Sequence, residues 1–234
     1  MADTPAGKQR PKDTAPLKRP RLIIFDCDGV LVDSEPLSFR VLRDNVAAAG
    51  ASIPMQDCYK LFLGKSLATT TEILSRDFGV DFSSADLESM RLQLFDLYRK
   101  ELRPIPGIAE LLRTLDLPVC VASSSQLERI RLSLEITGLL SAFDPHIYSA
   151  SMVTNGKPAP DLFLHAARVM RTAPEDCLVI EDSPAGIEAA KRAGMSVVGF
   201  TGGGHAQTDS HRAGLEALEP AAVFGEIATL QRYI

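Results

Sequence analysis

Several things are missing from this sequence, and each absence removes a class of function. In 234 residues no apolar run approaches the roughly 20 residues that a membrane-spanning helix needs. No apolar segment follows the first residues, so a secretory signal is not expected. Cysteine is scarce: Cys27, Cys58, Cys120 and Cys177 are scattered without metal-ligand spacing. Cys27, Cys120 and Cys177 fall in or beside apolar runs, where a free thiol behaves as a small hydrophobe. Together with the missing export signal, that suggests a reducing, cytoplasmic setting. Positive charge is not in excess: the formal net charge is −5, which gives no reason to expect nucleic acid as a partner. No internal repeat is present. The glycine-rich "TGGGHA" at 201–206 lacks the Gly-Lys-Ser/Thr ending of a nucleotide-binding P-loop and reads as a tight loop at the rim of a site.

What is present is ordinary for a globular protein, with 45% hydrophobic and 24% charged residues. The length allows one α/β domain and a smaller insert. Residues 1–19 are rich in Pro, Lys and Arg without hydrophobic periodicity, the pattern of a disordered basic tail.

Short apolar runs at 22–25, 118–122, 146–149, 177–180, 196–200 and 221–224 have the shape of buried parallel strands. Helical patterns lie between most of them. "QLERIRLSLEITG" ends at Gly138, and "PAGIEAAKRAG" starts at Pro184 behind Ser183 and stops at Gly194. Alternating strands and helices predict a doubly wound, Rossmann-like parallel sheet with its ligand site at the strands' C-terminal ends. One interval breaks the alternation. "PLSFRVLRDNVAAAG", "LATTTEILSRDFG" and "SADLESMRLQLFDLYRKEL" are all helical in pattern, so an α-helical cap domain is expected at 36–103. The core then comprises 20–35 and 104–234, with "RPIPG" at 103–107 as the hinge where the chain returns.

The first strand runs directly into "DCDGVLVDS". Asp26 and Asp28 lie where the chain turns at Gly29, so both carboxylates can converge on one ligand. Two such acids are tolerable beside a divalent cation, and oxygen ligands suit Mg²⁺. The alternative is a strand followed by an acidic turn in which Asp33 caps the next helix. Further groups sit at the same sheet edge. Ser123, and Ser124 beside it, end the second strand, where a hydroxyl can bind a phosphate oxygen or cap a helix. Lys157, between Gly156 and Pro158, follows the third and can balance developing anionic charge. Glu181 and Asp182 end the fourth. Cys27 is not a nucleophile candidate, because its flanking aspartates suppress the thiolate.

These four segments in this order resemble the haloacid dehalogenase-like superfamily, in particular its phosphatases with a helical cap after the first motif. The resemblance spans about residues 21–200, through "DCDGVLVDSE", Ser123 in "VASSS", Lys157 in "NGKPAPDLF" and "IEDSPAGIEAAKRAG". It implies Asp26 as the nucleophile that becomes an aspartyl-phosphate and Asp28 as general acid and base. It implies a Mg²⁺ site formed by Asp26, Asp28 through its backbone carbonyl, and Asp182, with Glu181 directly or through water. Ser123 and Lys157, with backbone N–H groups around Gly29, would hold phosphoryl oxygens. The implied substrate is a small phosphorylated metabolite such as a sugar or sugar-acid phosphate, with no nucleic acid or membrane partner and a monomeric or homodimeric enzyme. A dehalogenase is disfavoured because that branch lacks the second aspartate. A phosphomutase similar to the β-phosphoglucomutases is the main alternative. Those enzymes carry a histidine and an arginine where this chain has Ser38 and Leu67, leaving Lys65 as the polar candidate on the cap. A non-catalytic metabolite-binding protein would have lost one of Asp26, Asp28, Lys157 or Asp182, and none is lost.

Overall fold

The computed structural model describes residues 18–234, so the tail expected at 1–19 lies almost wholly outside the described residues. Strand β1 (Leu22–Phe25) is followed by four helices, α1 (Glu35–Ala48), α2 (Met55–Phe62), α3 (Leu67–Phe78) and α4 (Ser84–Glu101). The chain continues through α5 (Ile108–Thr114), β2 (Val119–Ser123), α6 (Leu127–Ile136), α7 (Leu140–Phe143), β3 (Ile147–Ser149) and α8 (Asp161–Val169). Then come β4 (Cys177–Glu181), α9 (Pro184–Arg192), β5 (Ser196–Phe200), α10 (Asp209–Glu216) and β6 (Ala222–Phe224), followed by a short 3₁₀ helix (Ile227–Arg232).

The six strands form one parallel sheet in the order β3-β2-β1-β4-β5-β6. Successive side chains of β1 point to opposite faces, and both faces are covered. Ile23 and Phe25 join one apolar cluster, while Leu22 and Ile24 join the other. Full burial explains why the strands read as continuous apolar runs. The connections move outward from β1 to β2 and β3, then return to β4 on the other side. This reversal opens a crevice at the C-terminal ends of β1, β2 and β4.

The helices α1–α4 pack around a third apolar cluster that includes Phe39, Val46, Phe62 and Leu74. Local signals account for their ends. Ser83 and Asp86 form a reciprocal capping box at the start of α4, and Gly79 stops α3 in a left-handed conformation. Helix α2 leaves no periodic signal in the sequence. Its eight residues bury only Cys58 and Phe62, too short a repeat to register as periodicity. The two crossings between sheet and helical insertion are clasped together: Asp33 N–H donates to Arg103 O (3.0 Å) and Ile105 N–H to Leu31 O (2.9 Å).

Candidate active site

The expected residues meet at the crevice. Lys157, with its side chain 1% exposed, donates to Asp26 Oδ1 (2.7 Å), Glu181 Oε1 (2.6 Å) and the Ala122 carbonyl (3.0 Å). A buried ammonium between two buried carboxylates is held in place by charge on both sides. Burial pulls its pKa down, but Asp26 and Glu181 outweigh that and raise it. Asp26 itself is pushed well up, first by burial and then by Glu181, Asp182 and Asp28, against the pull of Lys157. Asp182 is raised by burial and by Glu181.

Asp26, Glu181 and Asp182 each offer a carboxylate oxygen, and these oxygens lie within 4.8 Å of one another. Asp182 Oδ2 is buried and has no hydrogen-bond partner among the described residues. A buried, acceptor-only oxygen in that state is costly, and a divalent cation would satisfy it, so the donor set fits a hard, oxygen-preferring metal. Glu181 is more committed. Its Oε1 takes Lys157, and its Oε2 accepts from the Asp182 and Ser183 amides (3.0 Å each) and the Ser183 hydroxyl (2.9 Å). Gly186 makes room for this carboxylate, since a Cβ there would lie 1.8 Å from Glu181 Cδ. Gly29 is constrained in a similar way: its φ is +79°, and a Cβ would fall 1.9 Å from Asp182 Oδ2.

Asp28 stands apart from the acidic trio. Its Oδ1 accepts from Ser34 Oγ (2.5 Å) and Arg129 Nη2 (2.8 Å), and its Oδ2 from Ser125 Oγ (2.6 Å) and, at 3.4 Å, Ser123 Oγ. Burial raises its pKa, but Arg129 and the two closer serines more than reverse this and hold it below the usual value. Ser123 also accepts the Ser125 amide (3.1 Å), while Ser124 Oγ donates to the Gly64 carbonyl in the helical insertion (3.1 Å). Helices α1 and α6 lack side-chain caps at their N-cap residues Ser34 and Gln126. Asp33 does not cap α1; its Oδ1 accepts the Gly204 amide (2.8 Å). Cys27 is buried, with its thiol raised by burial and by Asp28 and Asp26.

Above these groups lies a cavity of ≈ 440 Å³. Asp26, Asp28, Ser123, Ser124 and Lys157 line its floor, and Phe39, Leu42, Phe62, Leu67 and Met90 of the insertion line the opposite wall. Lys65 also lines it and is exposed. His205, from the glycine-rich loop, is buried behind Asp182 with Nε2 2.9 Å from Oδ2, though without hydrogen-bond alignment. Burial lowers its pKa and favours the neutral ring.

A family model for haloacid dehalogenase-like hydrolases matches residues 20–194. The chain belongs to this family. It is 30% identical to the 6-phosphogluconate phosphatase of Escherichia coli (strain K12) over 81% of this chain and 86% of that protein. A conserved haloacid dehalogenase-like protein from Agrobacterium tumefaciens str. C58 superposes with a TM-score of 0.77 at 34% identity, covering 90% of this chain and 96% of the other. A family hydrolase from Deinococcus radiodurans R1, solved with bound phosphate and sodium, gives 0.71 at 30% identity, covering 93% and 94%.

Ser34, Glu35, Ser125 and Arg129 are among the polar residues of this hydrolase's cavity region to which the sequence alone assigns no role. Ser34 and Glu35 lie within "DCDGVLVDSE" and Ser125 within "VASSS", masked by the neighbours that define those motifs, while Arg129 belongs to an amphipathic helix whose polar positions read as solvent-facing. Glu35 is buried at the cavity wall, and burial, reinforced by Asp28, pushes its pKa up to about 8. Above pH 4.5 the unfolded chain releases this proton while the folded protein keeps it, so stability falls as pH rises toward 8. Between pH 5 and 8 the loss is on the order of 3 kcal/mol from this group. Glu35→Gln is expected to flatten that decline in urea denaturation curves; an unchanged pH profile would contradict the assignment.

Proposed function

We propose that this hydrolase is a Mg²⁺-dependent phosphatase that acts on a small phosphorylated metabolite, a sugar or sugar-acid phosphate, through an aspartyl-phosphate. The observation that carries the reading is the buried Asp26–Lys157–Glu181 arrangement beside the unpartnered Asp182 oxygen, at the floor of a cavity large enough for such a substrate. The similarity to the 6-phosphogluconate phosphatase supports the choice of substrate class.

Asp26 attacks phosphorus, and the ester P–O bond breaks. Asp28, which Arg129 and the serines hold ionised in this arrangement, takes up a proton once released from them, gives it to the departing alkoxide and then takes one from the water that cleaves the acyl-phosphate. Lys157 and Ser123 orient the phosphoryl oxygens and offset their charge, which is most of what phosphoryl transfer asks of a protein. Asp26, Asp182 and the backbone carbonyl of Asp28 would hold the Mg²⁺, with Glu181 fixing Lys157 and the turn after β4. The ion, when bound, supplies charge neutralisation for the phosphoryl group and the acidic cluster. The helical insertion, proposed as a cap over 36–103, closes the cavity, and Lys65 contributes to substrate affinity rather than to chemistry.

A phosphate-release screen over metabolites, with chelator and with added Mg²⁺, tests this reading. Release that depends on Mg²⁺ and needs no bisphosphate activator is the expected outcome, and Lys65→Ala is expected to change KM more than kcat. Stoichiometric conversion of glucose 1-phosphate to glucose 6-phosphate in the presence of trace glucose 1,6-bisphosphate, with no free phosphate, would replace the phosphatase by a mutase.

A further inference from the structure

Among the described residues four cations line the cavity: Lys65, Arg91, Arg129 and Lys157. Three are accounted for by their surroundings. Lys157 is enclosed by Asp26 and Glu181. Arg91 is neutralised by Glu88 (2.7 Å) and by Glu128 (3.0 Å). Lys65 is exposed at the rim. Arg129 is different. Its side chain is 24% exposed, and its hydrogen bonds to Asp28 (2.8 Å) and Ser38 (3.0 Å) both use Nη2. Its Nε is buried without an acceptor among the described residues. The guanidinium lies over the Tyr98 ring, 5.7 Å from its centroid, and Tyr98 in turn shares a hydrogen bond with Ser38 (2.9 Å). The fork is thus positioned from α1 and α4 of the insertion as well as from its own helix, yet its capacity for bidentate binding is unspent.

Asp28 shows the complementary feature. Three close donors and one longer contact occupy its two oxygens, so in this arrangement it has little capacity left to engage a leaving group. Of those donors only Arg129 is charged, and Arg129 also lines the cavity. A guanidinium leaving Asp28 needs another anion, because a half-buried charge without a partner is costly. Glu35 on the same wall does not supply one at neutral pH, since burial keeps it protonated. Glu88, which also lines the cavity, is taken by Arg91, so the substrate is the source left for that anion.

We propose that Arg129 is the specificity-determining residue of this site, selecting phosphomonoesters whose alcohol portion carries a carboxylate. As such a substrate binds, Arg129 exchanges Asp28 for the substrate carboxylate, and Asp28 is released to face the ester oxygen. A neutral polyol phosphate offers only its phosphoryl oxygens, which Lys157 and Ser123 hold at the cavity floor, so it brings no second anion for the exchange and leaves Asp28 engaged. The inference rests on the phosphatase reading for its catalytic consequence but not for its binding consequence.

Two matched pairs test it, each differing only in a carboxylate against a hydroxymethyl group: 3-phosphoglycerate with glycerol 3-phosphate, and 6-phosphogluconate with glucitol 6-phosphate. Binding is measured by calorimetry in Mg²⁺ on the Asp26→Asn protein, which removes turnover from the comparison. In at least one pair the acid is expected to bind roughly 10- to 100-fold more tightly, the range of a charge-assisted hydrogen bond. Adding Arg129→Gln should bring that ratio close to one, and Arg129→Lys should leave an intermediate ratio, since lysine keeps the charge without the fork. Circular dichroism and melting curves establish that each variant is folded. With Asp26 intact, Arg129→Gln should lower kcat/KM for the acid far more than for the neutral partner. Equal affinity for acid and neutral ligands in both pairs would overturn the proposal, as would a preference that survives Arg129→Gln or disappears in Lys65→Ala. An equal loss for both substrates would make Arg129 a positioning residue for Asp28 and would also overturn it. If no phosphomonoester, p-nitrophenyl phosphate included, released phosphate while the binding preference and its loss were both seen, the phosphatase reading would fail and the carboxylate site would stand.

Discussion

Asp26→Asn is expected to reduce phosphate release on the order of 10⁴-fold or more, the scale seen when a covalent nucleophile is removed, while the fold persists. An amide has nearly the shape of the carboxylate but cannot attack phosphorus at a useful rate. The fold should tolerate the change because an uncharged side chain at this position is more easily buried and is no longer repelled by Glu181, Asp182 and Asp28. The amide oxygen can still accept from Lys157, now without charge assistance. Steady-state kinetics and a thermal melt on the same preparation check both halves. Near-normal turnover in a folded Asp26→Asn protein would remove the proposed nucleophile and with it the aspartyl-phosphate.

Lys157→Met carries the second large effect, on stability and activity together. The ammonium is 2.7 Å from Asp26 and 2.6 Å from Glu181, with the side chains of Lys157 and Glu181 each 1% exposed. Removing one member of a buried ion cluster leaves the remaining charges uncompensated, typically at a cost of about 3–5 kcal/mol. The pH dependence is set by Asp26. Without Lys157 the folded-state pKa of Asp26 rises further, so the folded variant binds protons that the unfolded chain releases. The deficit relative to wild type should therefore be smallest near pH 5 and largest near pH 8. Denaturant titrations in chelator across that range measure it, and kcat should fall by roughly 10³-fold, the upper end for loss of a preorganised charge-stabilising group. Wild-type stability at pH 8 would show that Lys157 does not balance this cluster.

The two substitutions act on the part of the site that was legible in the sequence, and the reason is geometric. A parallel strand buried on both faces reads as an unbroken apolar run, so its end is marked by the first polar residue. For β1, β2 and β4 those ends are Asp26, Ser123 and Glu181–Asp182, and the sheet topology places the three strand ends side by side. Lys157 was recognised from its confined loop and from the family resemblance, not from any periodicity. The helix stops were equally local, since Gly138 and Gly194 have φ of +72° and +73°, the conformation that ends a helix on glycine.

What the sequence determined by itself was therefore the set of elements and the groups at the strand ends, because both are written in residues close to one another along the chain. Only the tertiary structure decided which polar side chains of the helices turn inward. Arg129 meets Asp28 across 101 positions and Ser38 across 91, and Ser124 reaches Gly64 across 60. Nothing in the local pattern around α6 distinguishes Arg129 from Arg131, which pairs with Asp144 on an exposed surface. Glu35 likewise looks like an ordinary acid in the first turn of a helix until the packing of α1 against the core buries it. A helix's own periodicity says which residues share a face; which face meets a cavity is settled by the elements that pack against it.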